Sequence, residues 1–291
     1  MKPAFTAAPS PYLAPFDASM RHGKCPTKPP ADVADKKDLK KTLKDLGEEI
    51  DDLQRRLYAG NQYSMLLVFQ ALDAAGKDGT IRSVFEQVDP AGVNVSSFKS
   101  PTEEELEHDF LWRCAKELPR RGNIGIFNRS YYEEVLIVKV HPEYLENQKL
   151  PPYSSERALW QARYEAIRQH ELHLAQSGTI VVKFWLKHSK QEQKRRFMSR
   201  LNEPQKNWKF AVSDVKERGY WSQYMSAYQG AVNATSRPWA PWYVIPADNK
   251  SYMRVAVAET VRDTLKSLDL RYPRQTAARK KVLADMKKQL S

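Results

Sequence analysis

Ser64-Met65-Leu66-Leu67-Val68-Phe69-Gln70-Ala71-Leu72-Asp73-Ala74-Ala75-Gly76-Lys77-Asp78-Gly79-Thr80 is the stretch on which the fold turns. Its first half is apolar, too short for a helix and preceded by the turn residues Gly60-Asn61, which suits a strand buried on both faces. The second half follows that strand directly and opens a helix. A phosphate-binding loop belongs there. Small residues let consecutive backbone N–H groups close around phosphate oxygens, a lysine reaches over them, and the helix N-terminus adds its positive dipole. Gly76-Lys77 fits this mechanism, with Ala74, Ala75, Gly79 and Thr80 around it. The stretch departs twice from the G-x-x-x-x-G-K-[ST] pattern: Ala71 stands at the first glycine, and Asp78 stands where a metal-binding hydroxyl belongs. Asp73 inside such a loop would be repelled by phosphate unless a cation lay between them, so it implies Mg²⁺ on hard oxygen ligands. The alternative is a glycine-containing turn with chance charges.

Outward from this stretch, short apolar runs recur at Val93-Asn94-Val95, Ile124 to Phe127, Thr179 to Leu186 and Trp242 to Pro246. Helical stretches separate them, at about Thr80 to Gln87, Thr102 to Leu118, Tyr131 to Val138, Ser155 to Gln176, Lys190 to Leu201, Ser213 to Asn233 and Tyr252 to Leu268. Before the first strand, Leu39, Leu43, Leu46, Ile50, Leu53 and Leu57 mark a long amphipathic helix. Five buried strands alternating with helices predict a three-layer α/β/α domain. It has a five-stranded parallel sheet, with ligands at the carboxyl ends of the strands. We place this domain at residues 35–270. Residues 1–34 hold seven of the 18 prolines, show no apolar periodicity and read as an extended arm. Residues 271–291 form a basic tail, read as a solvated helix in preference to a nucleic-acid contact.

Two further segments carry chemistry. The third strand ends in Asn128-Arg129-Ser130-Tyr131-Tyr132-Glu133-Glu134. In phosphate-loop folds the strand beside the loop bears a second metal-directed residue at its end, usually Asp. Asn128 occupies that position, Arg129 is a forked donor suited to phosphate, and Glu133 and Glu134 offer the missing charge. A helix start with acidic first-turn residues is the plainer alternative. After the fourth strand, residues 188–220 are dense in base, like the lid of nucleotide kinases that closes over a transferred phosphoryl group. Arg195, Arg196, Arg200 and Lys209 are its candidates for phosphate contact. His170-Glu171-Leu172-His173 is one residue short of H-E-x-x-H, lacks a third ligand nearby, and is set aside as a zinc site.

The composition limits the possible partners. The 291 residues carry 47 Lys+Arg against 35 Asp+Glu, a net charge of +12, which concentrates polyanions near the surface. No apolar run approaches a membrane span, Met1-Lys2-Pro3 does not open a secretory signal, and the two distant cysteines form no disulfide framework. The default location is cytoplasmic, with no membrane partner.

Three segments together resemble one family: Asp73 to Ile81, Phe127 to Tyr132, and Pro238 to Asp248. The resemblance is to the second family of polyphosphate kinases, and it runs in order from about Asp35 to Leu270. It implies a P-loop kinase with a Walker A-type loop that moves a phosphoryl group between inorganic polyphosphate and AMP, ADP or ATP with Mg²⁺. Members are oligomers, commonly dimers or tetramers, and nucleic acid is not an expected partner. The resemblance assigns the loop lysine to Lys77, the metal-directed aspartate to Asp73 and the second-motif arginine to Arg129. The lid bases map onto some of Arg195, Arg196, Arg200 and Lys209. Asn128 followed by Tyr-Tyr-Glu resembles the class III subgroup, which phosphorylates both mono- and diphosphates, and Glu133 becomes the candidate second metal ligand. Two rivals differ in donor or in turnover. An ATP-dependent nucleotide kinase would not use polyphosphate, and a polyanion-binding module would not turn over.

Overall fold

The computed structural model describes Phe5 and residues 7–291, so the Met1-Lys2-Pro3 start lies outside the described residues. Five strands form the sheet: β1 (Ser64–Gln70), β2 (Val93–Ser97), β3 (Ile124–Asn128), β4 (Thr179–Lys187) and β5 (Trp242–Pro246). They pair in parallel in the order β2-β3-β1-β4-β5. The helices are α1 (Lys36–Gly60), α2 (Lys77–Val84), the short α3 (Glu103–Leu106) and α4 (Trp112–Ala115), α5 (Glu133–Val140) and α6 (Glu156–Gln176). They continue as α7 (Lys190–Asn202), α8 (Val212–Gly219), α9 (Trp221–Thr235), α10 (Lys250–Lys266) and α11 (Ala277–Leu290).

Side-chain alternation divides the core into two layers. Met65, Leu67 and Phe69 of β1 face Leu46 and Ile50 of α1, Ile81 of α2 and Val257 and Val261 of α10. Leu66 and Val68 face Val135 of α5, Ile167 of α6 and Val232 of α9. β1 is buried along its length because it has a strand on either side and a helical layer on either face. The carboxyl ends of β1, β3 and β4 therefore meet between the two layers, where the loop after β1 emerges.

Three expectations need correction. β2 is not buried on both faces: it is the sheet edge, paired only with β3, and Val95 is 49 % exposed. The helices expected over Thr102–Leu118 and Ser213–Asn233 are each broken. The first splits into α3 and α4, and the second breaks at Tyr220 after Gly219, giving α8 and α9. The described part of the proline-rich arm, which includes a 3-10 turn at His22–Lys24, is docked. Tyr12 O accepts from Val244 N and Ala14 N donates to Trp242 O, both at 2.8 Å, while Leu13 bridges Tyr243 in antiparallel sense. The arm thus covers the backbone edge that β5 would expose to pairing with another chain.

Lys183 lies in β4 with no exposed surface, facing the α5/α6/α9 layer. Its ammonium donates to Glu171 Oε2 at 2.5 Å, to Thr235 O at 2.9 Å and to Tyr132 Oη at 3.0 Å, which uses all three N–H groups. Glu171 Oε1 accepts from Tyr131 Oη at 3.0 Å and Tyr132 Oη at 2.9 Å. Burial lowers the Lys183 pKa to about 8 and raises that of Glu171, each offset by the other's charge. Removing one partner strands a charge. Lys183→Met should therefore cost about 3–5 kcal/mol in urea unfolding, and Lys183→Met with Glu171→Leu should cost less than the single change.

Candidate active site

The chain leaves β1 through Ala71-Leu72 and reverses at Ala74 and Gly76, whose φ values are 66° and 101°. Glycine takes that conformation without strain. Ala74 carries a Cβ there, and such strain concentrates where a loop must present its backbone. Gly76 is the N-cap of α2, so the N–H groups of Lys77, Asp78 and Gly79 are first-turn donors with no partner in the helix. The Lys77 ammonium folds back to Ala71 O at 2.8 Å and keeps two further N–H groups. Burial, and next the charge of Arg129, hold its pKa below the ordinary lysine value.

The end of β3 meets this loop. Asn128 Nδ2 donates to Asp78 Oδ1 at 2.7 Å. Arg129 (φ 65°) sends Nη2 to Asp73 Oδ1 at 3.3 Å and lies 3.6 Å from Glu133 Oε2 through Nη1. Gln70 fits its neighbours with its nitrogen donating to Glu133 Oε1 at 2.7 Å and its oxygen accepting from Ser130 N and Oγ. Burial pushes the Glu133 pKa up, against the pull of Arg129 and Lys77, whereas Glu133 and Asp73 raise the Arg129 pKa against burial. The result is one cluster of two cations, Lys77 and Arg129, and three carboxylates, Asp73, Asp78 and Glu133.

The geometry separates the remaining candidates. Thr80, expected at the phosphate, is fully buried, and its hydroxyl donates to Gly76 O at 2.9 Å, so it braces the turn from inside. Ala75 is also buried, and its N–H closes on Leu72 O at 3.3 Å. Arg196, expected in the lid's phosphate contact, is 5 % exposed, with its guanidinium spent on backbone carbonyls and Glu192. Arg195 pairs with Glu192 in solvent, Arg200 bonds Lys209 O and Asp214 within the lid, and the Lys209 ammonium sits 4.9 Å over Trp208. His170 packs edge-on against Tyr131.

Two surfaces escaped sequence reading. On the α5/α9 side a cavity of about 330 Å³ opens onto Asp73, Arg129 and Glu133, walled by His141, Tyr144, Trp221, Tyr224 and Tyr228. Its far wall holds Glu217, which accepts from His141 Nε2 at 2.9 Å and Tyr224 Oη at 2.5 Å. On the opposite side, Lys250 of α10 lies against Gly76, and Arg254 Nη2 would stand 3.3 Å from a Cβ at Gly79. Burial, then Arg196, Arg254 and Lys206, lower the Lys250 pKa to about 8. Among the described residues Lys250, Arg254 and Arg82 make no ion pair. The helices expected over Thr80 to Gln87 and Tyr252 to Leu268 contain Arg82 and Arg254 but not Lys250, and nothing in the sequence signals that the two helices meet at the loop.

Comparison with known proteins decides between the readings. A family model described as Polyphosphate kinase 2 (PPK2) matches residues 33–273. The chain belongs to the polyphosphate kinase 2 family. It is 48% identical over 269 residues to the ADP-polyphosphate phosphotransferase of Rhodopseudomonas palustris, covering 92% of this chain and 93% of that one. It is 44% identical over 240 residues to the AMP/ADP-polyphosphate phosphotransferase of Meiothermus ruber, covering 82% and 86%. The crystal structure of Polyphosphate Kinase 2 from Arthrobacter aurescens TC1 superposes with a TM-score of 0.85 at 37% identity, over 97% of this chain and 98% of that one. The fold is thus that of the polyphosphate kinase 2 enzymes, and the chain is a phosphotransferase, not a passive polyanion binder.

One titration belongs to this site. His188 Nε2 lies 3.1 Å from Asp73 O, and burial lowers the ring's pKa from 6.5 to about 4. The unfolded chain binds that proton more readily, so stability should fall as pH drops from about 6.5 towards 4, by up to about 3 kcal/mol. Urea unfolding of His188→Gln across this range should show a correspondingly flatter profile.

Proposed function

We propose that this polyphosphate kinase 2 transfers a phosphoryl group reversibly between inorganic polyphosphate and both AMP and ADP. The observation that carries the reading is the two-sided loop. Uncompensated cations flank one side, and an aromatic cavity opens on the other. A phosphate polymer bears about one charge per residue and suits a run of unpaired Lys and Arg. A nucleotide suits aromatic walls with a few placed polar groups. The Meiothermus ruber relative is named for both acceptors and the Rhodopseudomonas palustris relative for ADP alone. Asn128 before Tyr131-Tyr132-Glu133 favours both here.

The first-turn N–H groups of α2, with Lys77 and Arg129, hold the donor phosphates at the junction of the two sides. Asp73 and Glu133, both beside Arg129, are the hard oxygen ligands that would hold Mg²⁺, an ion that takes one or two carboxylates and completes its shell with phosphate and water. When bound, the ion would neutralise charge on the transferred group. Arg129 tethers Asp73 and faces Glu133, so it keeps both carboxylates at the junction while its own charge faces phosphate. The acceptor's phosphate oxygens are ionised near neutral pH, so attack needs alignment and charge neutralisation more than a base. The free thiols Cys25 and Cys114 suit the reducing cytoplasm. A homo-oligomer, dimer or tetramer, is supported by exposed Trp208 and Val212 on the lid and by Val282, Leu283, Met286 and Leu290 on α11. Four of the aromatic residues of the last third do not contribute to such a surface: Trp242, Tyr243, Tyr224 and Tyr228 are core.

Purified chain given Mg²⁺ and polyphosphate, with no ATP, should convert AMP to ADP and ATP, and ADP to ATP, resolved by anion exchange. Lys77→Ala should lower turnover by about 10³-fold with an unchanged melting temperature. Undiminished turnover in that variant would overturn the site, and inactivity on polyphosphate together with ATP-driven phosphorylation of AMP in its absence would overturn the donor.

A further inference from the structure

Three consecutive loop carbonyls turn away from the candidate site, and the first turns of the lid hold all of them. His188 Nε2 and Gln193 Nε2 reach Asp73 O at 3.1 and 3.2 Å. Arg196 Nη1 donates to Ala74 O at 2.9 Å and to Ala75 O at 2.7 Å. The same guanidinium sends Nη2 to Ala247 O at 2.5 Å and Asp248 O at 3.2 Å, just beyond β5, and Nε to Glu192 Oε1 at 2.6 Å. All five of its N–H groups are used. Asp248 in turn accepts from Ser189 N at 2.7 Å, which ties the N-cap of α7 to the same point.

We propose that Arg196 is a positioning residue for phosphoryl transfer: it clamps the back of the phosphate loop so that the loop's front N–H groups face the donor. The inference rests on the function proposed above. A peptide unit is planar and trans, so its C=O and the following N–H point in opposite directions. Holding Asp73 O, Ala74 O and Ala75 O towards α7 turns the N–H groups of Ala74, Ala75 and Gly76 the other way. The Ala75 N–H is taken by Leu72 O, which leaves those of Ala74 and Gly76 for phosphate. A loop with φ values of 66° at Ala74 and 101° at Gly76 relaxes readily unless its surroundings over-determine it. Two bonds from a buried guanidinium that three more anchor to Ala247, Asp248 and Glu192 supply that constraint. The clamp also fixes the base of the lid, so any closure must begin beyond Arg196, in the segment that carries Arg200 and Lys209.

The experiment compares Arg196→Lys and Arg196→Ala with the unaltered chain in steady-state assays on long-chain polyphosphate and ADP, at several salt concentrations. Lysine keeps the charge but cannot span four carbonyls. A clamp predicts that both variants lose at least about 100-fold in kcat, the scale of a lost preorganised donor. The KM for polyphosphate should stay within about threefold, and the salt dependence of kcat/KM should be unchanged because no phosphate contact is lost. Added guanidinium should restore part of the Arg196→Ala rate. Near-normal kcat in either variant would overturn the proposal. So would a raised KM with a shallower salt slope, rescued by lysine, which would make Arg196 a direct phosphate ligand. If Arg196→Ala does not fold, as judged by circular dichroism, Arg196→Lys carries the test. An unaltered chain inactive on polyphosphate with every nucleotide overturns the functional reading itself, and hydrogen exchange at Gly76 in Arg196→Lys then reads the clamp: faster exchange supports it and equal exchange contradicts it.

Discussion

The turn out of β1 is the constraint on which the rest depends. A phosphate loop works only if its carbonyls are disposed of elsewhere, because an oxygen facing phosphate repels it. Here each carbonyl from Asp73 to Ala75 is held by α7, Gly76 O takes the Thr80 hydroxyl, and Ala71 O takes the Lys77 ammonium. These bonds leave donors on the other side. The Arg129 guanidinium and the Asn128 amide then join the end of β3 to the loop through Asp73 and Asp78.

The two core layers hold this junction in different ways. The α1/α2/α10 layer is held mainly by apolar contacts, and Met253 packs beside Gly76 and Thr80. The α5/α6/α9 layer contains a buried ion pair instead. Lys183 and Glu171 gather Tyr131 and Tyr132, which lie between Arg129 and Glu133 in the chain. A buried pair contributes little net stability, but here its geometry anchors the segment that delivers both groups to the site.

Much of this was legible in the residues. Each strand run falls within one or two residues of its observed limits, and for β1, β3, β4 and β5 the reason is that strands buried on both faces read as continuous apolar runs. Asp73, Lys77, Arg129 and Glu133 were named from loop chemistry and resemblance, and the fold brings them together. What escaped depends on tertiary contact. Arg196 and Arg195 are neighbours of one type in sequence, yet one is buried behind the loop and the other is in solvent. Thr80 looks like a phosphate hydroxyl until its burial is seen. The arm's pairing with β5, and the unpaired cations of α10 beside the loop, involve residues more than a hundred positions apart, which no local pattern encodes.

The central claim is that donor and acceptor approach the loop from opposite layers. A crystal structure of the full chain with polyphosphate and a non-transferable ADP analogue tests it most directly. The account predicts phosphates on the N–H groups of α2's first turn, running past Lys250 and Arg254, with the base between Trp221 and Tyr224. Polyphosphate in the aromatic cavity, or the base against α10, would contradict it.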